Sequence, residues 1–294
     1  MSWIALSILA AFLWAASNIV DKYLLGKLVR NALLPVIVLG IVGLAASALV
    51  FFIQGFDSLS LPHAALAIFA GVMYIVMVYC YYYALQSEDV SKVIPLFYFG
   101  PLFIAIGAAV FLGEIFTPLK YLGIAALIAG AMLISWNRTT GFTFGRALGL
   151  MIGASIAMAF TQVVSKYLLG YVDFWTVFSY VRLGAFFAVV PLLIANFSSL
   201  LDLYREKGKL PFVWMFISET LNNVATLLFT LAVAIGFVTL ANALTSIQPF
   251  FVLLIAVAIS VFFPQILKEE LGKSVVAIKV IAIATMFVGA LLIS

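Results

Sequence analysis

The 294-residue chain has a single cysteine, Cys80, and a single histidine, His63. One cysteine excludes an intrachain disulfide, and the two residues together cannot complete a zinc site. Charge is scarce too. Fifteen Lys and Arg with eleven Asp and Glu make 9% of the residues, against roughly 25% in a soluble domain. The sequence has no His pair, no Asp-rich motif, no nucleophile beside a base and no phosphate-binding loop. Neither an enzyme nor an ATP-driven pump is expected, and no cofactor or metal. The net charge of +4 fits Lys and Arg in loops against anionic lipid, not nucleic acid.

What the chain does have is apolar sequence: 66% of residues are hydrophobic and the mean hydropathy is +1.28. Polar surface could not cover such a core in water. A bilayer takes about 20 apolar residues per helix, and runs of that length tile the sequence. Punctuation by charge, Pro, Gly and Asn predicts ten membrane helices, near 3–25, 33–53, 63–86, 91–112, 118–136, 146–170, 174–196, 211–235, 238–263 and 274–293. Backbone groups in lipid must bond within their own segment, and no alternating ten-residue strands are present, so the fold class is all-α. "WIALSILAAFLWAASNIV" has no cleavage-type boundary, so no cleavable leader is expected. The longest polar stretch, "SSLLDLYREKGKLP" (198–211), is expected as a loop.

One phrase occurs twice, "SNIVDKYLLGK" at 17–27 and "TQVVSKYLLGY" at 161–171. It places helix 6 on helix 1. "KYLGIAALIAGAMLIS" (120–135) likewise matches "KVIAIATMFVGALLIS" (279–294), and Pro101 pairs with Pro249. The chain is thus expected to be a duplicated five-helix unit, residues 1–140 and 141–294. An odd helix count makes the second copy run upside down, a construction typical of secondary transporters with a site at the repeat interface.

These features resemble the drug/metabolite transporter superfamily, in its ten-helix EamA form. The residues that carry the resemblance are "LWAASNIVDK" closing helix 1, "YVRLGA" in helix 7, "FLGEIFTPLKYLGIAALIAGAMLI" across helices 4 and 5, and the two prolines. The second copy departs from the pattern with an insertion in "FFPQILKEELGKSVVAIK", where Glu269 or Glu270 would match Glu114, and the first copy lacks a counterpart of Arg182. The resemblance implies a two-fold bundle with a cavity between helices 1, 3, 4, 6, 8 and 9, and helices 5 and 10 outside it. It also implies transport of an amino acid, another metabolite, a nucleotide sugar or an amphipathic drug. The small multidrug exporters of the superfamily depend on a glutamate in helix 1, where this chain has Trp14, which lowers the case for cationic drugs.

Helical spacing marks the walls independently. On helix 8, Glu219, Asn222, Asn223, Thr226 and Thr230 form one polar stripe. It reads as a cavity wall, or as interhelical hydrogen bonding worth roughly 0.6–2 kcal/mol per bond. Asn242, Thr245 and Ser246 continue it on helix 9, whereas helices 3 and 4 offer Tyr74, Met77, Tyr81, Tyr82, Phe97 and Tyr98. Tyrosines also gather at bilayer interfaces. Trp14, Asn18 and Asp21 share a face of helix 1, and Met158, Gln162 and Ser165 the matching face of helix 6. A cavity aromatic on one side and amide-rich on the other suits a small amphipathic solute. Glu219 and Arg182 lie deepest in apolar sequence. Glu219 is the candidate proton-coupling carboxylate, with Arg182 and Asp21, or else Glu219 and Arg182 form a structural ion pair.

Pro101 and Pro249 each break a helix and are read as gating points, and Pro95 adds a second break in helix 4. Gly145, Gly149, Gly153 and Ala157 form a small-residue ladder read as close packing. Lys22 and Lys166 are read as snorkelling to the headgroups or as pairing with carboxylates at the two mouths. Loops after odd-numbered helices carry Lys27, Arg30, Lys92, Arg138, Arg146, Arg205, Lys207, Lys209, Lys268, Lys273 and Lys279, those after even-numbered helices only Lys120. The positive-inside rule then puts both termini outside the cytoplasm, whereas the resembled family usually has both inside. The expected partners are a small-molecule substrate and the lipid of the cell membrane, in a monomer or homodimer. The alternative to a solute carrier is a lipid-carrier flippase.

Overall fold

The computed structural model describes residues 2–55, 57–87, 96–135, 146–262 and 273–294. Among them every regular element is helical. α1 (Trp3–Tyr23) runs into a π-helical turn (Leu24–Leu28). Then follow α2 (Leu33–Gln54), α3 (Leu61–Ser87), α4 (Gly100–Leu112), α5 (Pro118–Ser135), α6 (Arg146–Leu168) and α7 (Phe174–Ala195). α8 (Phe197–Lys207), α9 (Leu210–Ile235), α10 (Val238–Thr245), α11 (Gln248–Phe262) and α12 (Lys273–Ile293) complete the order. Seven stretches of the described residues are long and apolar enough to cross a membrane, and three shorter apolar helices accompany them: Gly100–Leu112, Pro118–Leu133 and Ala277–Ile293. Lys92, Pro95, Arg138, Gly145, Lys268, Glu269 and Glu270 lie outside the described residues.

The helix starts follow from local chemistry. Ser2 caps α1 by accepting the Ala5 amide at 3.3 Å, and Asp173 caps α7 through the amides of Trp175 and Thr176 at 2.6 and 3.0 Å. Capping side chains satisfy amides that the first helical turn leaves free.

The continuous helix expected over 238–263 is broken in the middle. α10 stops at Thr245, two i→i+3 bonds (Ser246 to Ala243, 3.0 Å, and Ile247 to Leu244, 3.1 Å) tighten the end, and α11 restarts at Gln248. Pro249 is the cause, because it has no N–H for a carbonyl four residues back. The described part of the helix expected over 91–112 behaves likewise. It turns at Tyr98–Phe99, with Phe99 bonding Leu96 at 3.2 Å, and restarts as α4 with Pro101 second.

The polar stretch 198–211 is a helix, not a loop, over most of its length. α8 buries Leu203 against Leu24, Val29 and Met215 and turns its charged face outward. There Arg205 meets Asp202 at 3.4 Å in an exposed pair of little energetic weight.

Apolar burial does not drive helix association in lipid, so close approach and interhelical hydrogen bonds must. The small-residue ladder expected on α6 does not provide that approach: a Cβ added at Gly149 or Gly153 would meet nothing within 4 Å. The tight crossings are elsewhere. A Cβ on Gly123 (α5) would come to 2.9 Å from the Gly289 carbonyl (α12), and one on Gly289 to 2.7 Å from that of Gly123. Gly71 on α3 and Gly184 on α7 meet as closely, a Cβ on Gly71 falling 2.8 Å from the Gly184 Cα. The principal partners are α5 with α12, α3 with α6, α1 with α9, α2 with α7, α3 with α7, α4 with α6, and α1 with α11. Hydroxyl bonds stitch three of these contacts: Thr161 to Ala70 at 3.0 Å, Ser17 to Ser218 at 2.8 Å, and Ser47 to Ser179 at 3.2 Å.

Candidate functional site

The polar faces of α1, α3, α6, α7 and α9 converge on one cavity of about 210 Å³, with the two helix breaks facing it as well. α1 contributes Trp14, Asn18 and Asp21; α3 Tyr74, Tyr81 and Tyr82; the first break Tyr98 and Pro101. α6 brings Gln162, α7 Arg182, α9 Glu219, Asn222 and Thr226, and the second break Asn242 and Ser246. Helical spacing explains why each set shares a face, since residues three, four and seven apart stand above one another.

One expected wall residue, Asn223, and one expected gating residue, Pro249, are not on it. Asn223 is one step past Asn222, hence about 100° further round α9, and is buried on the side facing α2. Its Nδ2 donates to the Glu219 carbonyl at 2.7 Å, and its Oδ1 comes 3.8 Å from the position of a Cβ on Gly43. Pro249 is buried one residue inside α11, where it shapes the break without surfacing in the cavity.

A hydrogen-bonded chain crosses the cavity wall. Trp14 Nε1 donates to Asn222 Oδ1 at 3.1 Å, and Asn222 Nδ2 donates to Glu219 Oε2 at 3.3 Å and to the Tyr74 hydroxyl at 3.4 Å. Beside it Ser218 Oγ donates to Asp21 Oδ1 at 2.6 Å. Glu219 is 3% exposed and Arg182 1%, yet among the described residues no ion pair joins them. The structural pair weighed from the sequence is not formed. The Arg182 guanidinium lies instead across two rings, 4.9 Å from the Tyr74 centroid and 5.3 Å from that of Phe178. Among the described residues its Nε and Nη2 have no hydrogen-bond acceptor.

An apolar cluster adjoins one end of the cavity. Ala10, Ile104, Ala159, Val163, Phe229 and Val233 pack there. Beyond it Lys166 Nζ donates to the carbonyls of Val233 and Gly236 at 2.7 and 2.6 Å. Among the described residues Lys166 pairs with no carboxylate; it binds the open carbonyls at the end of α9. Glu114 takes the other side of the same turn, accepting the Val238 amide at 2.9 Å and the Thr239 amide at 3.0 Å. Gly113, at φ 68°, makes the left-handed turn that delivers it, a conformation favourable to glycine.

Sequence reasoning named Glu114 only as part of a motif. An acidic residue in an apolar run was the available signal. Phe178 and Gln248 also line the cavity and were not foreseen; Phe178 stands one turn before Arg182, a spacing that could have marked it.

Residues 1–136 match the EamA-like transporter family. The match and the seven long apolar helices mark a multi-pass membrane protein that resembles this transporter family over its first 136 residues. No curated protein matches it. A solved structure described as "Crystal structure of protein" is similar at a TM-score of 0.70, with 17% identity over 99% of this chain and 96% of the other. Likeness at that identity shows the fold alone, over nearly the whole chain.

Proposed function

We propose that the protein is a secondary transporter of the cell membrane that moves a small amphipathic metabolite, an amino acid or a relative, by alternating access. Two inverted five-helix repeats, residues 1–140 and 141–294, rock about the cavity. The observation that carries this reading is the cavity itself: charged, amide and aromatic side chains from both halves, set between two broken helices. Broken helices at a repeat interface are how secondary transporters build midplane sites. The packing agrees with the repeat. Exchanging each helix for its counterpart turns the α3–α6 contact into α1–α9 and α4–α6 into α1–α11, while α2–α7 and α5–α12 map onto themselves.

In this reading Pro101 and Pro249 fix the points about which the half-helices move, and Glu219 is the proton-coupling carboxylate. It is buried on the cavity wall with Asn222 donating to it, a position where loading with a proton and loading with substrate compete.

A thermal-shift panel on the detergent-purified protein tests the reading, with amino acids, polyamines, nucleotide sugars, quaternary-amine dyes and polyprenyl phosphates as probes. A ligand at 100 times its dissociation constant stabilises by about 2.7 kcal/mol when it binds only the folded state. A shift with one class of soluble solute is expected. Shifts from polyprenyl phosphates alone would replace the solute carrier with a lipid-carrier flippase.

A further inference from the structure

Among the described charged residues of the wall, Arg182 is the one left without a hydrogen-bonded partner for its buried donors. A guanidinium carries five N–H donors in a planar fork, and burying it without a carboxylate is unfavourable by several kcal/mol. Here it is 1% exposed, and among the described residues Nε and Nη2 have no acceptor and no carboxylate is within ion-pair distance. The Tyr74 and Phe178 rings cover its faces. They hold the plane in place, and its unmatched donors lie buried along the edge between them. On the same wall the carboxylates of Asp21 and Glu219 receive neutral donors, Ser218 and Asn222, and among the described residues no cation. The cavity thus holds positive and negative groups that do not satisfy each other.

We propose that Arg182 anchors a carboxylate of the transported solute, and that the solute also carries an ammonium group set against Asp21 and Glu219. The substrate is then a zwitterion, with its apolar part against the tyrosine wall. This rests on the transporter reading above. A monoanion matches the single charge of Arg182, and a carboxylate fits its fork bidentately. A phosphate dianion would leave excess negative charge buried beside two carboxylates. The ammonium is drawn to the carboxylates and to the faces of Trp14, Tyr81 and Tyr82.

The test uses matched triplets on the full chain in nanodiscs, by isothermal titration: leucine, isoamylamine and 4-methylpentanoate; phenylalanine, 2-phenylethylamine and 3-phenylpropanoate. The expected result is that the zwitterion of at least one triplet binds more tightly than either partner. Arg182→Gln then weakens the zwitterion and the acid by about 10- to 100-fold, the range for a lost charge-assisted hydrogen bond, and leaves the amine unchanged. An amine that binds as tightly as its amino acid, or silence of all triplets, overturns the proposal, as does an Arg182→Gln protein that loses zwitterion and amine alike, which marks a structural arginine. If Arg182→Gln does not fold, Arg182→Lys keeps the charge without the fork and is expected to weaken the same two ligands. Triplet silence with a shift from another soluble class in the thermal panel overturns only the zwitterion; silence of every soluble solute with a shift from polyprenyl phosphates overturns the transporter reading as well.

Discussion

The carboxylate of Glu114 and the ammonium of Lys166 grip one turn of backbone from opposite sides, Lys166 on the carbonyls of Val233 and Gly236, Glu114 on the amides of Val238 and Thr239. The cation meets the negative end of α9 and the anion the positive end of α10, as the helix dipoles favour. Glu114 belongs to the first half of the chain and the turn to the second, so its bonds tie the halves together beyond the apolar cluster. In the proposed mechanism, rocking of the halves about the cavity has to release the Glu114 bonds.

Replacing Glu114 with alanine leaves two buried amides unsatisfied. The expected loss of stability is roughly 1.5–3 kcal/mol, read as a lower melting temperature in detergent. Glu114→Gln keeps one acceptor and should lose less. Equal melting of wild type and Glu114→Ala would mean that the turn holds without its cap.

Glu219→Gln tests coupling directly. The variant should bind substrate and exchange it across proteoliposomes without a pH gradient, but no longer accumulate it when a gradient is imposed. Accumulation that still follows the gradient would exclude Glu219 as the proton carrier.

Asn222 and Asn223 are adjacent but serve opposite sides of α9, so their alanine variants should separate. Asn222→Ala removes the link between Trp14, Tyr74 and Glu219 and is expected to weaken ligand binding by about tenfold. Asn223→Ala should leave the affinity within about twofold and act on the melting temperature. Equal effects of both on affinity would contradict the geometry.

Asp173 gives a pH dependence of known sign. Partial burial alone would raise its carboxyl, but the hydrogen bonds it accepts, from the Thr176 and Trp175 amides among others, outweigh that and hold it below the usual range. A depressed folded-state value makes the cap stabilising above the unfolded value, and the benefit fades as pH falls through the lower folded one. Asp173→Ala should therefore destabilise by about 1 kcal/mol near neutral pH, and the difference from wild type should shrink below about pH 4. A gap that widens in acid would reverse the assignment.

Orientation divides the loop charges from the usual arrangement of the resembled family. With Cys80 replaced by alanine, a cysteine placed at Ser2 or Ser294 should react with an impermeant maleimide from outside intact cells, as the positive-inside rule expects. Labelling only after lysis would put both termini in the cytoplasm.

Much of this was legible in one dimension. Hydropathy gives the apolar helices because the bilayer constrains each segment by itself, and a stripe such as Glu219, Asn222 and Thr226 is visible because a helix repeats every 3.6 residues. Pro101 and Pro249 marked the two breaks for an equally local reason, a missing N–H. The same locality misled where a neighbour decides the matter. Asn223 sits inside the stripe by spacing and outside the cavity by 100° of rotation, and the glycines of α6 looked like a packing ladder with nothing opposite them. The recurrence of Lys22 and Lys166 was plain, but nothing local tells that Lys166 ends on carbonyls about 70 residues away.

The sequence by itself determined an all-helical membrane chain, its polar faces and its helix breaks, all properties of segments shorter than a helix. Only the tertiary structure decided that Glu114 caps a helix 124 residues downstream, that Arg182 rests on two rings in place of Glu219, and that Gly123 meets Gly289. Those outcomes depend on which helices lie side by side, and in lipid that choice rests on close fit and hydrogen bonds between distant segments, which no local pattern records.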